Sequence, residues 1–230
     1  MTAVQMTTID YARARETMVE QQVRPWDVLD LRVLEALSTL PREAFVPEPY
    51  RALAYADLPL PLAHGEMMLK PVVEGRTLQA LALQPTDAVL EIGTGSGYFT
   101  ACLGRLARDV VSLELHADLA EAAHARLAAQ GLDGNIRIEV ADALRYDTMR
   151  RFDAICVTGA VDVVPATFLQ WLQPGGRLFV VRGRAPAMDA QVLHRDAGDG
   201  AGVNGIRVES LFETDIPYLV GAAPVPQFQW

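Results

Sequence analysis

The stretch Val89-Leu90-Glu91-Ile92-Gly93-Thr94-Gly95-Ser96-Gly97-Tyr98 constrains this chain more than any other. Ala88 to Ile92 is a short apolar run of the kind that fills a parallel sheet covered on both faces. The glycines after it admit positive φ and let a ligand approach the backbone with no Cβ in the way. A helix opening near Phe99 would aim its first amides at that ligand. Strand, glycine turn and helix together predict the first unit of a doubly wound α/β sheet.

A glycine turn of this kind also serves as a plain strand-to-helix connection, so its neighbours matter. Glu91 stands two residues before Gly93, where a carboxylate can receive a cationic amino group. Val110 to Leu115 reads as a second strand with an acid, Glu114, near its tip. Glu114 follows Gly93 at about the twenty-residue spacing that puts a carboxylate on ribose hydroxyls. Dinucleotide sites read Gly-x-Gly-x-x-Gly, with a pyrophosphate over the helix start. Here the spacing is Gly-x-Gly-x-Gly behind an acid, which repels a pyrophosphate but suits an ammonium and a sulfonium. The stretch resembles the nucleotide site of class I S-adenosylmethionine-dependent methyltransferases.

The remaining elements follow in order. Ile9 to Gln22 predicts a helix capped by Asp10 and broken at Pro25 and Trp26. Asp27 to Leu40 predicts a second, amphipathic helix. Prolines at 41, 47, 59 and 61 stiffen a long loop, whose position before the core suggests a functional cover. Pro71 to Leu83 and His116 to Gln130 predict helices, as does Pro165 to Leu172. Strands are expected at Ile136 to Val140, Phe152 to Ala160, Leu178 to Val181, Gln191 to Arg195 and Ile206 to Phe212. Gln173 to Arg177 reads as a turn and Asp196 to Gly205 as a loop. The tail from Ile216 to Trp230 is apolar with prolines, and reads as extended chain on the core, over the site, or at an oligomer contact.

The predicted fold is therefore α/β: a doubly wound, mostly parallel seven-stranded sheet with helices on both faces and an N-terminal helical extension. It divides into N-terminal helices and acceptor-side loop (1–75), α/β core (76–215) and extended tail (216–230), within one compact domain.

The loop carries a narrower resemblance. Pro41, Arg42, Phe45, Val46, Pro47, Ala54, Tyr55, Asp57, Pro59, Leu60, Gly65 and Pro71 match the N-terminal pattern of protein-L-isoaspartate O-methyltransferases. The similarity runs on through Leu90 to Tyr98 and to Phe152-Asp153-Ala154-Ile155-Cys156-Val157-Thr158. It spans roughly Leu40 to Arg182. The resemblance implies methyl transfer from S-adenosyl-L-methionine to the carboxylate of an isoaspartyl residue in a damaged protein. It also implies cofactor contacts from Met68, Leu69, Glu91, Gly93, Thr94, Gly95, Ser96, Gly97, Glu114, Leu115, Asp142 and Ala143. One segment departs. Where the family has Gln-Thr-Ile-Ser-Gln-Pro, this chain has Glu66-Met67-Met68-Leu69-Lys70-Pro71. The family serine, thought to place the acceptor carboxyl, falls on Leu69, which neither donates nor accepts a hydrogen bond.

Two readings stand side by side. One is an isoaspartyl O-methyltransferase acting on a protein or peptide. The other is an S-adenosylmethionine-binding homologue with a changed small-molecule acceptor, or a binding module. Asp57, His64, Glu66 and Thr158 are candidate acceptor-side residues, and Asp142 is alternatively a cap for the next turn.

Composition trims the rest. With 230 residues and a net charge of -9, the chain shows no basic footprint for nucleic acid, and its only lysine is Lys70. No metal is expected, since the four histidines show no ligand spacing with each other or with the cysteines. Cys102 and Cys156 lie in apolar segments and read as free buried thiols, which suits a reducing compartment. With no long apolar segment near the N-terminus, a cytoplasmic protein without membrane attachment is expected. The apolar N-terminal helices and tail make a homodimer an expectation as well.

Overall fold

The computed structural model describes residues 9–198 and 205–225. Seven strands form its central sheet: β1 Ala88–Ile92, β2 Asp109–Glu114, β3 Ile136–Val140, β4 Phe152–Val161, β5 Leu172–Arg184, β6 Ala187–Arg195 and β7 Ile206–Thr214. Their spatial order is β3-β2-β1-β4-β5-β6-β7. β1 pairs in parallel with β2 and β4, as β2 does with β3 and β4 with β5. β6 and β7 complete the sheet antiparallel.

Strand alternation divides the core into two layers, because successive side chains leave opposite faces. Val89, Val110, Ala154, Cys156 and Phe179 join one layer with the N-terminal helices, α3 (Pro71–Leu81) and α4 (Tyr98–Leu106). Leu90, Ile92, Val111, Ile155 and Leu178 join the other, against α6 (Ala166–Gln170). All five residues of β1 are buried, four apolar and the fifth the acid Glu91.

Several boundaries differ from the sequence reading. α1 is Tyr11–Met18, capped by the Asp10 side chain, and helical turns continue through Trp26. Pro25 does not end the run, because a proline is tolerated in the first turn of a new helical segment. The stop comes at Asp27, in left-handed backbone at φ 60°. α2 is shorter than expected, Leu31–Thr39, because the Asp30 carboxylate accepts the Arg32 amide and caps it there. β5 absorbs the expected turn at Gln173 to Arg177, with a register shift against β4 between Phe152 and Ala154. α5 is Ala117–Ala129. The loop over 196–205 is closed by the Asp196 amide on the Gly205 carbonyl, while residues 199–204 lie outside the described chain.

The proline-rich loop is ordered by short 3₁₀ turns and a small antiparallel pair, Leu60–Pro61 with Met67–Met68. The tail runs beside the exit of β4: the Ala160 amide donates to the Pro217 carbonyl and the Leu219 amide to the Ala160 carbonyl, at 2.8 and 2.9 Å. Gly159 permits this approach, since a Cβ there would meet the Leu219 side chain at 2.7 Å. Of the three placements open for the tail, its described residues show contact with the core and cover for the site. Residues 226–230 of the tail lie outside the described chain.

Candidate functional site

β1 and β4 are the paired neighbours between which the strand order reverses, which is where open α/β sheets hold ligands. A cleft opens over the carboxyl ends of β1, β2 and β4. Its floor is Ile92 to Ser96, Leu113 to His116 and Ala141 to Leu144, and its roof is Leu62, Glu66 to Lys70 and the tail residues Asp215 to Val220.

The glycine turn is shaped by positive φ, +97° at Gly93 and +54° at Gly95. A side chain at Gly93 is doubly barred, because its Cβ would fall 2.3 Å from Thr158 Oγ1. The Thr158 hydroxyl donates to the carbonyls of Ile92 or Gly93, at 2.9 and 2.8 Å, and so fixes the turn to β4. The Gly95 amide donates to Glu114 Oε2 at 2.8 Å, while Glu114 Oε1 takes the His116 amide at 3.0 Å. Each carboxylate oxygen keeps a further lone pair for a hydroxyl donor.

Behind the turn lies a polar chain inside the core. Glu91 Oε2 accepts from Ser112 and Thr100, both at 2.6 Å, and Ser112 Oγ lies 2.5 Å from Thr94 Oγ1. The Glu91 side chain is fully buried, and burial pushes its carboxyl up to about 8 against the pull of the two hydroxyls. At neutral pH the group largely retains its proton.

The loop is held from below. Arg42 Nη1 bridges both Glu74 oxygens at 2.6 and 2.7 Å, Nε reaches the Ala54 carbonyl and Nη2 the Leu69 carbonyl, both at 2.8 Å. Its guanidinium rests 4.9 Å over the Tyr98 ring. Farther out, the His64 and His116 rings stack at 4.0 Å, and His64 Nε2 lies 2.9 Å from both Asp118 oxygens.

Comparison with known proteins decides which family built this cleft. The sequence profile of the family described as protein-L-isoaspartate(D-aspartate) O-methyltransferase matches residues 13–208. This chain belongs to that family. A protein-L-isoaspartate O-methyltransferase from Methylorubrum extorquens is 42% identical over 174 residues, covering 76% of each chain. A Rhodopseudomonas palustris protein-L-isoaspartate O-methyltransferase 1 is 38% identical over 92% of this chain and 84% of its own. The crystal structure of a Plasmodium falciparum protein of that description, in complex with S-adenosyl-L-homocysteine, superposes with a TM-score of 0.76 at 19% identity, over 92% of this chain and 99% of its own. The fold is thus the Rossmann-like methyltransferase fold.

Within this family member, the structure sorts the residues singled out from sequence. Met68, Leu69, Gly93, Thr94, Gly95, Ser96, Glu114, Leu115, Asp142, Ala143, Glu66 and Thr158 all line the cleft. Glu91 does not. Strand alternation sends its side chain with Val89 toward α4, so it reaches the cleft only through Ser112 and Thr94. Gly97 also stands apart: its role is packing, since a Cβ there would lie 3.1 Å from the Ala123 Cβ on α5. Asp57 accepts the Val72 amide at 3.1 Å and caps α3 instead of facing the cleft. His64 lies outside the lining, as part of the histidine stack. Asp142 lines the cleft and also accepts the Leu144 amide at 2.9 Å, so it serves as a turn cap too.

Sequence reasoning left the tail's part in the roof as one of several placements, and missed the Arg42–Glu74 clamp and Lys70 and His116 as lining residues. Lys70 carried a signal as the chain's only lysine, beside the altered motif. Among the described residues there is no cluster of three or more His, Cys, Asp or Glu side chains arranged to hold a metal ion, and no helix long and apolar enough to cross a membrane.

Proposed function

We propose that this chain transfers a methyl group from S-adenosyl-L-methionine to the free carboxylate of an L-isoaspartyl residue in a protein or peptide, in the cytoplasm. One observation carries the reading: the glycine turn tied to Glu114 at the switch point, in a cleft roofed by the family's own loop. The chain's residues fit the cofactor. Gly95 lines the cleft, and a Cβ there would crowd Leu62 Cδ1 at 3.1 Å, so glycine keeps the floor and the Leu62 roof close together. Glu114 has lone pairs for ribose hydroxyls, Asp142 stands for an adenine amino group, and Leu115, Ala143 and Leu144 supply apolar walls.

When bound, S-adenosylmethionine supplies a methyl group that the carboxylate oxygen takes in line, the C–S electron pair passing to sulfur with no proton moved. A carboxylate is ionised at neutral pH, so no general base is required of the chain. The residues therefore act by placement. Thr158 holds the turn, Arg42 holds the Leu69 backbone, and the loop and tail exclude water from the reacting atoms. The free, buried Cys102 and Cys156 are consistent with a reducing compartment.

A second reading is favoured by Leu69, with Met67 and Met68 beside it: an apolar acceptor wall, suited to a small-molecule acceptor or to binding alone. Transfer of labelled methyl to an isoaspartyl peptide, with the normal aspartyl peptide as control, separates the two. Base-labile label on the isoaspartyl peptide alone establishes the first. Cofactor binding by calorimetry without transfer to either peptide establishes the second.

A further inference from the structure

We propose that Lys70 is the counter-charge that captures the acceptor's carboxylate, a specificity-determining role that rests on the isoaspartyl reading above. The acids that line the cleft are Glu66, Glu74, Glu114, Asp142 and Asp215. An anionic acceptor entering among them meets like charge, which disfavours binding in a site partly closed to water. Glu74 is neutralised by Arg42 at 2.6 Å, and Arg42 is fully buried beneath the loop, not in the lining. Among the described residues, the basic side chains of the lining are Lys70 and His116, and the His116 ring is engaged in the stack with His64 and faces Glu66 at 3.7 Å. Lys70 is half-buried, and among the described residues its ammonium has neither a hydrogen bond nor an ion pair.

The backbone places this lysine firmly. Leu69 before it is held by Arg42 through its carbonyl, and Pro71 after it opens α3. Lys70 itself is extended, at φ -67° and ψ 144°, as a residue before proline must be. The neighbouring Leu69 and Met68 offer no hydrogen bond, so the charge is the polar handle on this side of the cleft.

The chemistry gives the pair a direction. The ammonium holds one carboxylate oxygen while the other forms the O–CH₃ bond. As that bond forms and the S–CH₃ bond breaks, the carboxylate's charge disappears into the ester and the sulfonium's into the thioether. The ion pair is therefore strongest with the substrate and absent with the neutral ester, so it favours binding and then product release. Its loss shows in KM and much less in kcat.

The test compares wild type with Lys70→Met and Lys70→Arg, using a synthetic isoaspartyl peptide, its carboxymethyl ester and labelled S-adenosylmethionine. Peptide binding is also read by calorimetry with S-adenosylhomocysteine present, a readout that needs no turnover. Lys70→Met is expected to raise KM and the peptide Kd about tenfold or more, the effect of losing a charged hydrogen bond. Its kcat and its S-adenosylhomocysteine affinity stay close to wild type, Lys70→Arg recovers most of the loss, and the ester binds both proteins equally. The KM of wild type rises with potassium chloride, and that of Lys70→Met does so far less. If wild type methylates the peptide and Lys70→Met matches it in KM and salt response, the lysine assignment falls and the activity stands. If wild type neither binds nor methylates the peptide, both fall together.

Discussion

Arg42 and Glu74 form an ion pair in which neither side chain is more than 2% exposed, and the arginine directs two further donors to the carbonyls of Ala54 and Leu69. One side chain thus ties the proline-rich loop to the first turn of α3, directly under the cleft. The arrangement explains why an arginine is required there: a lysine has no planar fork to reach three acceptors at once. Replacing Arg42 by Met leaves the Glu74 carboxylate buried without its partner, a loss of roughly 3–5 kcal/mol. Replacing both residues by apolar groups is expected to cost much less than the single change, because no uncompensated charge remains. Urea unfolding of the two singles and the double variant checks this, and equal losses in Arg42→Met and the double would refute it.

Glu91 predicts a pH signature. Its carboxyl lies near 8 in the folded protein against 4.5 as the ordinary value, raised first by burial and opposed by Ser112 and Thr100. Between those two values the native state keeps a proton that the unfolded chain has lost. Stability from this group is therefore full below the lower value, falls as pH rises through the window, and levels off above the upper one. The slope is at most about 1.4 kcal/mol per pH unit. Glu91→Gln removes the titration, so the stability difference between variant and wild type should shift in the variant's favour from pH 5 to pH 8. Chemical denaturation across that range measures it, and a constant difference would show that the carboxyl does not titrate there.

Glu114 is where the cofactor reading is most exposed to test. It links the Gly95 amide, the His116 amide and the cleft. Glu114→Ala is expected to weaken S-adenosylhomocysteine binding about tenfold to a hundredfold, as charged hydrogen bonds to hydroxyls are lost. The fold should survive, since the β1–β2 pairing rests on backbone bonds from Ala88 to Ile92. Calorimetry beside a thermal melt separates the two effects, and undiminished affinity in a folded variant would remove Glu114 from the site.

The sheet and the glycine turn were legible in the sequence because their signals are local: apolar runs, glycines and an acid at fixed spacing. Glu91 shows the limit. Its position before Gly93 is plain, but which face of β1 meets the ligand follows from what packs on each side. The period of two then put it with Val89 against Thr100. Asp57 was misplaced for a similar reason, since an acid in a loop reads as a site residue until Val72 is seen to need a cap. Leu31 rather than Asp27 begins α2 because Asp30 is the acid that meets a free amide. The tail's location was open because it depends on pairing with Ala160, some sixty residues earlier, which no local pattern encodes.

That pairing gives the last prediction. Gly159 has ordinary backbone, so Gly159→Ala adds no φ strain and acts only through contact. The added Cβ would lie 2.7 Å from Leu219 Cδ2 and 3.0 Å from its backbone nitrogen. The leucine side chain can turn away, but the nitrogen cannot, so the tail backbone must lift from β4. The bonds joining Ala160 to Pro217 and Leu219 then weaken, at about 1 kcal/mol each. Asp215 to Val220 roof the cleft, so water gains entry and peptide turnover falls, while S-adenosylhomocysteine, resting on the turn and Glu114, keeps most of its affinity. Hydrogen exchange at the Ala160 and Leu219 amides reports the lift directly. Faster exchange with unchanged turnover would mean the tail is only packed on the core, whereas faster exchange with lower turnover makes it a working wall of the acceptor site.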